Sequence, residues 1–421
     1  MSENEGKVLK LIEQSSTEVI SFLRDLVRKP SITGQEAEIQ GMISDRLKDA
    51  GLSVDVWEPD PNVLMKHEAY IRTPIETGYD NRPNVVGILK GTGGGRSLIL
   101  NGHVDVVTPG PLDRWIHDPW RAEIEGGRLY GRGASDMKSG LAAAIMAVIC
   151  ITRAGMRLKG DTTIEAVVDE EPTGDGTLAC IMRGYTADAA ILAEATDLEI
   201  QPTHTGALGF GLKVMGKAAS VSRKWEAVSA IEKGWRACQA LQDFEAIRQK
   251  DKHHPLYSPQ TLSLYPGTFR AGVYQTILPE EARIEGIMRT LPNEELSVAK
   301  KDFQEYIRAF SQLDPWLREN PIALEWIGYH SAGSEIPVDH VLVKTVGEAF
   351  RYCTGLEPKI TGHIGAADAK YFTKYSNTPA LLFGPGALAQ MHATNEYVPL
   401  ENVVTATKVL ASTIIRWCGI K

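Results

Sequence analysis

Apolar residues in the first part of the chain switch between helical and strand-like spacing. Leu9, Leu11, Ile12, Val19, Ile20, Phe22, Leu23 and Leu26 recur near helical spacing and predict one amphipathic helix over 8–27. Ser31 to Thr33 offer a cap for a second helix ending at Gly51. Apolar runs at 84–89 and 97–100, linked through the turn-rich GTGGG stretch, predict strands. An Ala- and Met-rich run predicts a long helix over 138–155, and buried strands follow at 162–168 and 189–193. This alternation predicts an α/β layer structure with a mixed, largely parallel sheet flanked by helices.

The texture changes after about residue 201. A strand is predicted at 208–214, and Val228, Ile231, Trp235, Cys238 and Leu241 form a helical stripe. Further strands are predicted at 260–265, 273–278, 282–290 and 322–327, with a helix over 294–313. Helix and strand patterns alternate again from about 338 to 417. The expected division is a first domain made of 1–202 and 332–421, interrupted by a smaller α+β unit at 203–331.

With 421 residues and 43% hydrophobic content, the chain exceeds one ordinary core, which agrees with two domains. The net charge of −8 argues against a nucleic-acid partner. Five widely spaced cysteines with no CxxC pair support neither a disulfide framework nor a zinc knuckle. The opening MSENEGK is unlike a signal peptide, and no uninterrupted apolar run reaches membrane-spanning length. A cytoplasmic location and no membrane partner are expected.

The chemistry concentrates where apolar runs end. In LILNGHVDVV, His103 and Asp105 are two apart and share one side of a strand. The pair suits either a hydrogen-bond network or a metal-bound imidazole with a carboxylate behind it. Asp136 follows a Gly-rich turn and precedes a helix, where it could cap the helix or project into a site. Asp169, Glu170 and Glu171 directly follow the apolar run IEAVV. Three adjacent carboxylates there are costly unless solvated or offset by cations. Glu194 ends another apolar run, and His392 follows PALLFGPG. Together they offer nitrogen and oxygen donors at strand ends, where α/β sheets place ligand sites. Such a set suits two ions sharing a bridge.

The ordered segments GHVDVV, GRGASDMKSG, DEEPTGDG, AEATD and MHATNEYVP resemble the motifs of M20 metallopeptidases and deacylases. The HDPW segment and the extended stretch before Asn84 are most similar to the branch related to acetylornithine deacetylase and succinyl-diaminopimelate desuccinylase. The resemblance implies two divalent ions per chain, zinc foremost, with cobalt or manganese as alternatives. It implies that His103 and Glu194 hold one ion, Glu171 and His392 the other, and that Asp136 bridges them. Glu170 would be the general base and Asp105 the orienter behind His103. The inserted unit would be a lid and dimerisation domain, giving a homodimer. The implied reaction is hydrolysis of an N-acyl amino acid or a related small amide. A dipeptidase or carboxypeptidase on the same metals is the alternative.

The sequence departs from that family in the lid. Where related chains carry a His in a stretch like GKAAH, this one reads GKAAS, with Ser220 in place of the oxyanion donor. The family's lid Asn aligns with Thr276, and the substrate-anchoring Arg with Arg289. Gly384 and Gly386 in FGPGA could offer backbone N–H groups to a substrate carboxylate, or serve as turn glycines. Ser220 leaves open a catalytically impaired, substrate-binding form, unless His204, which also reads as a structural residue, supplies the donor instead.

Overall fold

The computed structural model describes residues 3–421. The chain forms two compact units. The larger holds residues up to 203, 335–363 and 367–421; the smaller holds 204–334 and 364–366.

The larger unit is built on a mixed sheet. Its spatial order is Ser53–Trp57, Asn84–Leu89, Thr162–Val167, Leu98–His103, Ala190–Leu192, Ala380–Leu382 and Ile200–His204. Parallel pairing occupies the centre: Leu98–His103 runs parallel to both Thr162–Val167 and Ala190–Leu192, which in turn runs parallel to Ala380–Leu382. Antiparallel pairs lie outside it. The two runs flanking GTGGG are not neighbours, because Thr162–Val167 lies between them. In the central register His103 stands opposite Val167, and Asn101 opposite Leu192. Three parallel strands therefore deliver His103, the 169–171 acids and Glu194 to the same sheet edge.

The helix Ser139–Arg153 is buried along nearly its whole length. With the turn before it, its length and composition would suit a membrane span, but every residue of its apolar window is packed inside this unit. The helix Leu400–Cys418 packs against it. All five cysteines are free thiols.

The N-terminal segments differ from expectation. The single helix over 8–27 is two, Glu3–Gln14 and Ser16–Val27, interrupted at Ser15. Serine competes for backbone hydrogen bonds and favours such breaks. The next helix, Ala37–Asp49, starts later than the Ser31–Thr33 cap implied. Ser31 Oγ instead donates to the Val104 carbonyl at 2.6 Å, and the Thr33 N–H to that of Val106 at 3.2 Å. The expected cap braces the strand extension beyond His103.

In the smaller unit an antiparallel sheet runs Leu264–Ala271, Glu281–Thr290, Gly206–Met215, Ala323–Ser331. Helices Ala230–Asp251 and Leu296–Gln312 supply Leu241, Phe244, Phe303 and Ile307 to a core with Leu208, Phe210, Ile284 and Met288. The Phe210 and Phe303 rings meet edge to face at 5.2 Å. The strand expected at 260–265 begins only at Leu264, and that at 273–278 shrinks to Ile277–Leu278.

Candidate metal centre

Two groups of donor atoms meet at the edge of the parallel strands. His103, Asp136 and Glu194 form one; Asp136, Glu171 and His392 form the other. Within each group the donor atoms lie within 4.8 Å of one another. Asp136 belongs to both. Its Oδ1 is 3.2 Å from His103 Nε2 and its Oδ2 is 3.4 Å from His392 Nε2. Glu194 Oε1 lies 4.0 Å from His103 Nε2, and Glu171 Oε2 lies 2.9 Å from His392 Nε2. The first group is buried, while the His392 side chain is 52% exposed, so the second opens to solvent.

Several of these donors are positioned by the chain behind them. His103 Nδ1 bonds the main-chain carbonyl of Asp105 at 2.8 Å, whereas the Asp105 carboxylate stands 3.8 Å away. That carboxylate accepts from the N–H groups of Glu170 and Glu171 at 3.1 and 3.3 Å, and from Thr33 Oγ1 at 3.1 Å. Asp105 thus orients His103 through its backbone, and its side chain grips the acidic turn. Asp169 turns away from the site: its backbone is left-handed (φ 64°), and its carboxylate is bound by Arg82, Thr73, Tyr79 and Thr173. Asp is among the residues that tolerate that conformation.

Glu396 is a further positioning residue that sequence reasoning missed. Fully buried, it accepts from the N–H groups of Gly133, Ser135 and Asp136 at 3.0, 2.7 and 3.1 Å and pairs with Arg132 at 2.7 Å. It ties the Asp136 loop to the segment that carries His392. The only signal was its place in the motif MHATNEYVP.

The electrostatics favour cations. Burial opposes charging His103, but the Asp136 hydrogen bond and the charges of Glu170 and Glu194 hold it protonated well above the usual imidazole range. Hydrogen bonds that the ring donates to Asp136 and Glu171 lift His392 to about 10. Burial raises Glu194 to about 8, partly offset by His103. Burial works against ionised Asp136, yet the two imidazoles hold it below the usual carboxylate range. The imidazoles are pressed into carrying positive charge by the carboxylates around them. Glu194 Oε2 is buried with no hydrogen-bond partner, a position that a cation would satisfy. Imidazole nitrogen and carboxylate oxygen are the donors that zinc-like ions take. The residues present fit two divalent ions.

The remaining expected residues fall elsewhere. The Gly384 N–H already donates to Thr196 Oγ1 at 3.0 Å, so it is not available to a substrate. Gly384 and Gly386 are required for close approach: an added Cβ would stand 2.3 Å from the Glu194 carbonyl and 2.2 Å from that of Ser135, respectively. Ser220, Thr276 and Arg289 all lie in the smaller unit. Ser220 pairs with Ile277 across a short antiparallel ladder, and the Val221 N–H donates to the Thr276 carbonyl at 3.1 Å. The Ser220 and Thr276 positions are thus adjacent, and both are exposed. Arg289 is half-buried and enters no ion pair among the described residues. His204 is fully buried, with Nδ1 on the Thr205 carbonyl at 3.0 Å.

A family model described as "Peptidase family M20/M25/M40" matches residues 99–416. The chain is 30% identical to an N-formyl-4-amino-5-aminomethyl-2-methylpyrimidine deformylase of Bacillus subtilis, over 98% of this chain and 97% of that protein. It is 26% identical to a succinyl-diaminopimelate desuccinylase of Methylocella silvestris, over 93% and 96%. The fold matches an M20 family metallo-carboxypeptidase of Sulfolobus solfataricus with a TM-score of 0.73 at 17% identity, over 94% of this chain and 98% of that one.

Proposed function

The chain belongs to peptidase family M20/M25/M40, and on that premise we propose that it uses two divalent ions, zinc foremost, to cleave the amide bond of a small N-acyl substrate. It is a metal-dependent amidohydrolase. The substrate class proposed is an N-acyl amino acid or a related acylated amine, and the full-length relatives named deformylase and desuccinylase support it. The free thiols are in keeping with a cytoplasmic location.

The observation that carries the reading is the sharing of Asp136, with one carboxylate oxygen turned to each donor group. His103, Asp136 and Glu194 would hold one ion, and Asp136, Glu171 and His392 the other. Such ions, when bound, polarise the amide carbonyl and bring the pKa of water down to about 7. Glu170 belongs to neither group, yet its Oε2 lies 3.8 Å from His103 Nε2. It would take a proton from the attacking water and pass it to the leaving nitrogen. Burial pushes its carboxyl up, so it holds a proton more readily than an exposed glutamate. Asp105 and Glu396 hold the turns that present Glu170, Glu171 and Asp136.

Elemental analysis of metal-replete protein is expected to find two divalent ions per chain; only trace metal would refute the two-ion reading. A panel of N-formyl, N-acetyl and N-succinyl amines, run beside unblocked dipeptides, tests the substrate class. Release of amine from an acylated member supports the reading, and cleavage confined to dipeptides replaces it with a dipeptidase.

The smaller unit would also form a homodimer. Its edge strand Leu264–Ala271 exposes Tyr265, and the adjoining helix Ala230–Asp251 exposes Ile231 and a Trp235 that is 63% accessible. Phe269 lies over Gly234 between them. An open strand edge beside an apolar stripe suits pairing with a second copy. Trp235→Glu is expected to convert the dimer into a monomer in sedimentation velocity. A monomeric unsubstituted chain would refute the dimer.

A further inference from the structure

Residues 58–83 connect two neighbouring antiparallel strands whose ends meet in register at Trp57 and Asn84. A short hairpin would suffice there. The chain instead makes a long excursion with one short helix, Pro61–Leu64, and then folds back onto the acidic turn. Thr73 Oγ1 donates to Asp169 Oδ1 at 3.0 Å, and Arg82 Nη2 to the same oxygen at 2.5 Å. Tyr79 Oη lies 3.0 Å from Asp169 Oδ2 and 3.3 Å from Asp175 Oδ2. The Ile71 N–H donates to Asp175 Oδ1 at 3.4 Å. Arg82 is fully buried and also makes a two-pronged contact with Glu36, at 2.9 and 2.7 Å.

We propose that this excursion is a positioning clamp for the metal centre, with Tyr79 and Arg82 fixing Asp169 so that Glu170 and Glu171 leave the turn toward the site. Asp169 is the pivot. Its left-handed backbone reverses the chain, and its buried carboxylate is satisfied largely from the excursion. The next two residues present their N–H groups to Asp105. The turn is therefore gripped from both sides, by its first side chain and by its next two amides. Because Tyr79 bridges Asp169 and Asp175, its hydroxyl joins the turn to the start of the helix Asp175–Met182. A fork of donors on one buried carboxylate gives direction as well as charge balance, which a lone ion pair does not.

The inference rests on the two-ion reading and deepens it by naming positioning residues outside both donor groups. The test is Tyr79→Phe, which removes one hydroxyl and keeps the ring, measured by Zn2+ competition titration, steady-state kinetics and thermal unfolding. Partners behind metal ligands are typically worth about 10–100-fold in affinity or activity, so the weaker Zn2+ is expected to bind about 10-fold less tightly. A fall in kcat of about the same size is expected, with KM held within about twofold. If Tyr79→Phe does not fold, Thr73→Val removes a different donor to the same carboxylate and is expected to act in the same direction. A lower melting temperature with unchanged Zn2+ binding and kcat would overturn the clamp and leave a purely structural excursion. An unsubstituted chain that binds no Zn2+ would overturn the two-ion reading and the clamp together. Two ions bound equally well by the native chain and the variant would overturn the clamp alone.

Discussion

Glu170→Ala is expected to lower kcat by about 10²-fold or more while both ions stay bound. The two halves of that outcome rest on different observations. Metal retention follows because Glu170 belongs to neither donor group. The loss of turnover follows because Glu170, 3.8 Å from His103 Nε2, would carry the proton that the reaction moves. Asp136, Glu171 and Glu194 are committed to the donor groups. Asp105 accepts from two backbone amides and Thr33, and Asp169 faces Arg82 and Tyr79. Glu170→Gln separates shape from proton transfer, since it keeps the side chain's size and removes its basicity. Both variants should therefore be slow, with metal content equal to that of the native chain by elemental analysis. Near-native turnover in either would remove Glu170 from the proton-transfer role. Loss of metal in both would make it a ligand instead.

Ser220→His is expected to raise kcat by about 10²–10³-fold, the usual worth of one oxyanion donor. The family resemblance implies a His here that, in a homodimer, reaches the partner subunit's site. It would donate to an oxygen that becomes negative only as the amide carbonyl is attacked, so the expected gain rests on the dimer. Serine is shorter and neutral, and a poorer donor to an anion. Its Oγ here accepts from the Ser222 N–H at 3.3 Å. Because Ser220 is exposed on a short ladder, an imidazole fits there without disturbing a core. KM should change little, since the charge is absent in the bound ground state. Turnover that is unchanged or lower in Ser220→His would mean that another group already supplies the donor. Kinetics of the two proteins on the best member of the acylated-amine panel decide the matter. Thr276, beside Ser220, is the next position to examine by substitution.

Much of the candidate site could be anticipated along the chain, because its residues follow apolar runs. Strand period and length are local properties, and His103, the 169–171 acids and Glu194 mark the places where such runs stop. The expectation of an inserted unit has the same local basis: the order of strands and helices changes near 201 and reverts near 338. Local pattern failed where a polar residue had two uses. Ser31 and Thr33 resemble a helix cap but brace residues 104–106, and Ser15 breaks a helix that the apolar stripe made continuous.

The motifs thus determined which donor residues were available, while the tertiary structure decided what each one does. The acids at 169, 170 and 171 are chemically alike in sequence. They diverge because a left-handed backbone at Asp169 sends its carboxylate to Arg82 and the next two toward the site. Glu396 stood in a recognised motif without a role, which came from its contact with the Asp136 loop, 260 residues away in the chain. Gly384 was open to a substrate-facing or a turn role in the sequence, and its N–H is engaged by Thr196. Periodicity encodes the element a residue belongs to, because backbone geometry repeats over a few residues. The direction of a carboxylate and the partner of a buried N–H depend instead on segments brought together only when the sheet has closed, and no local pattern carries that information.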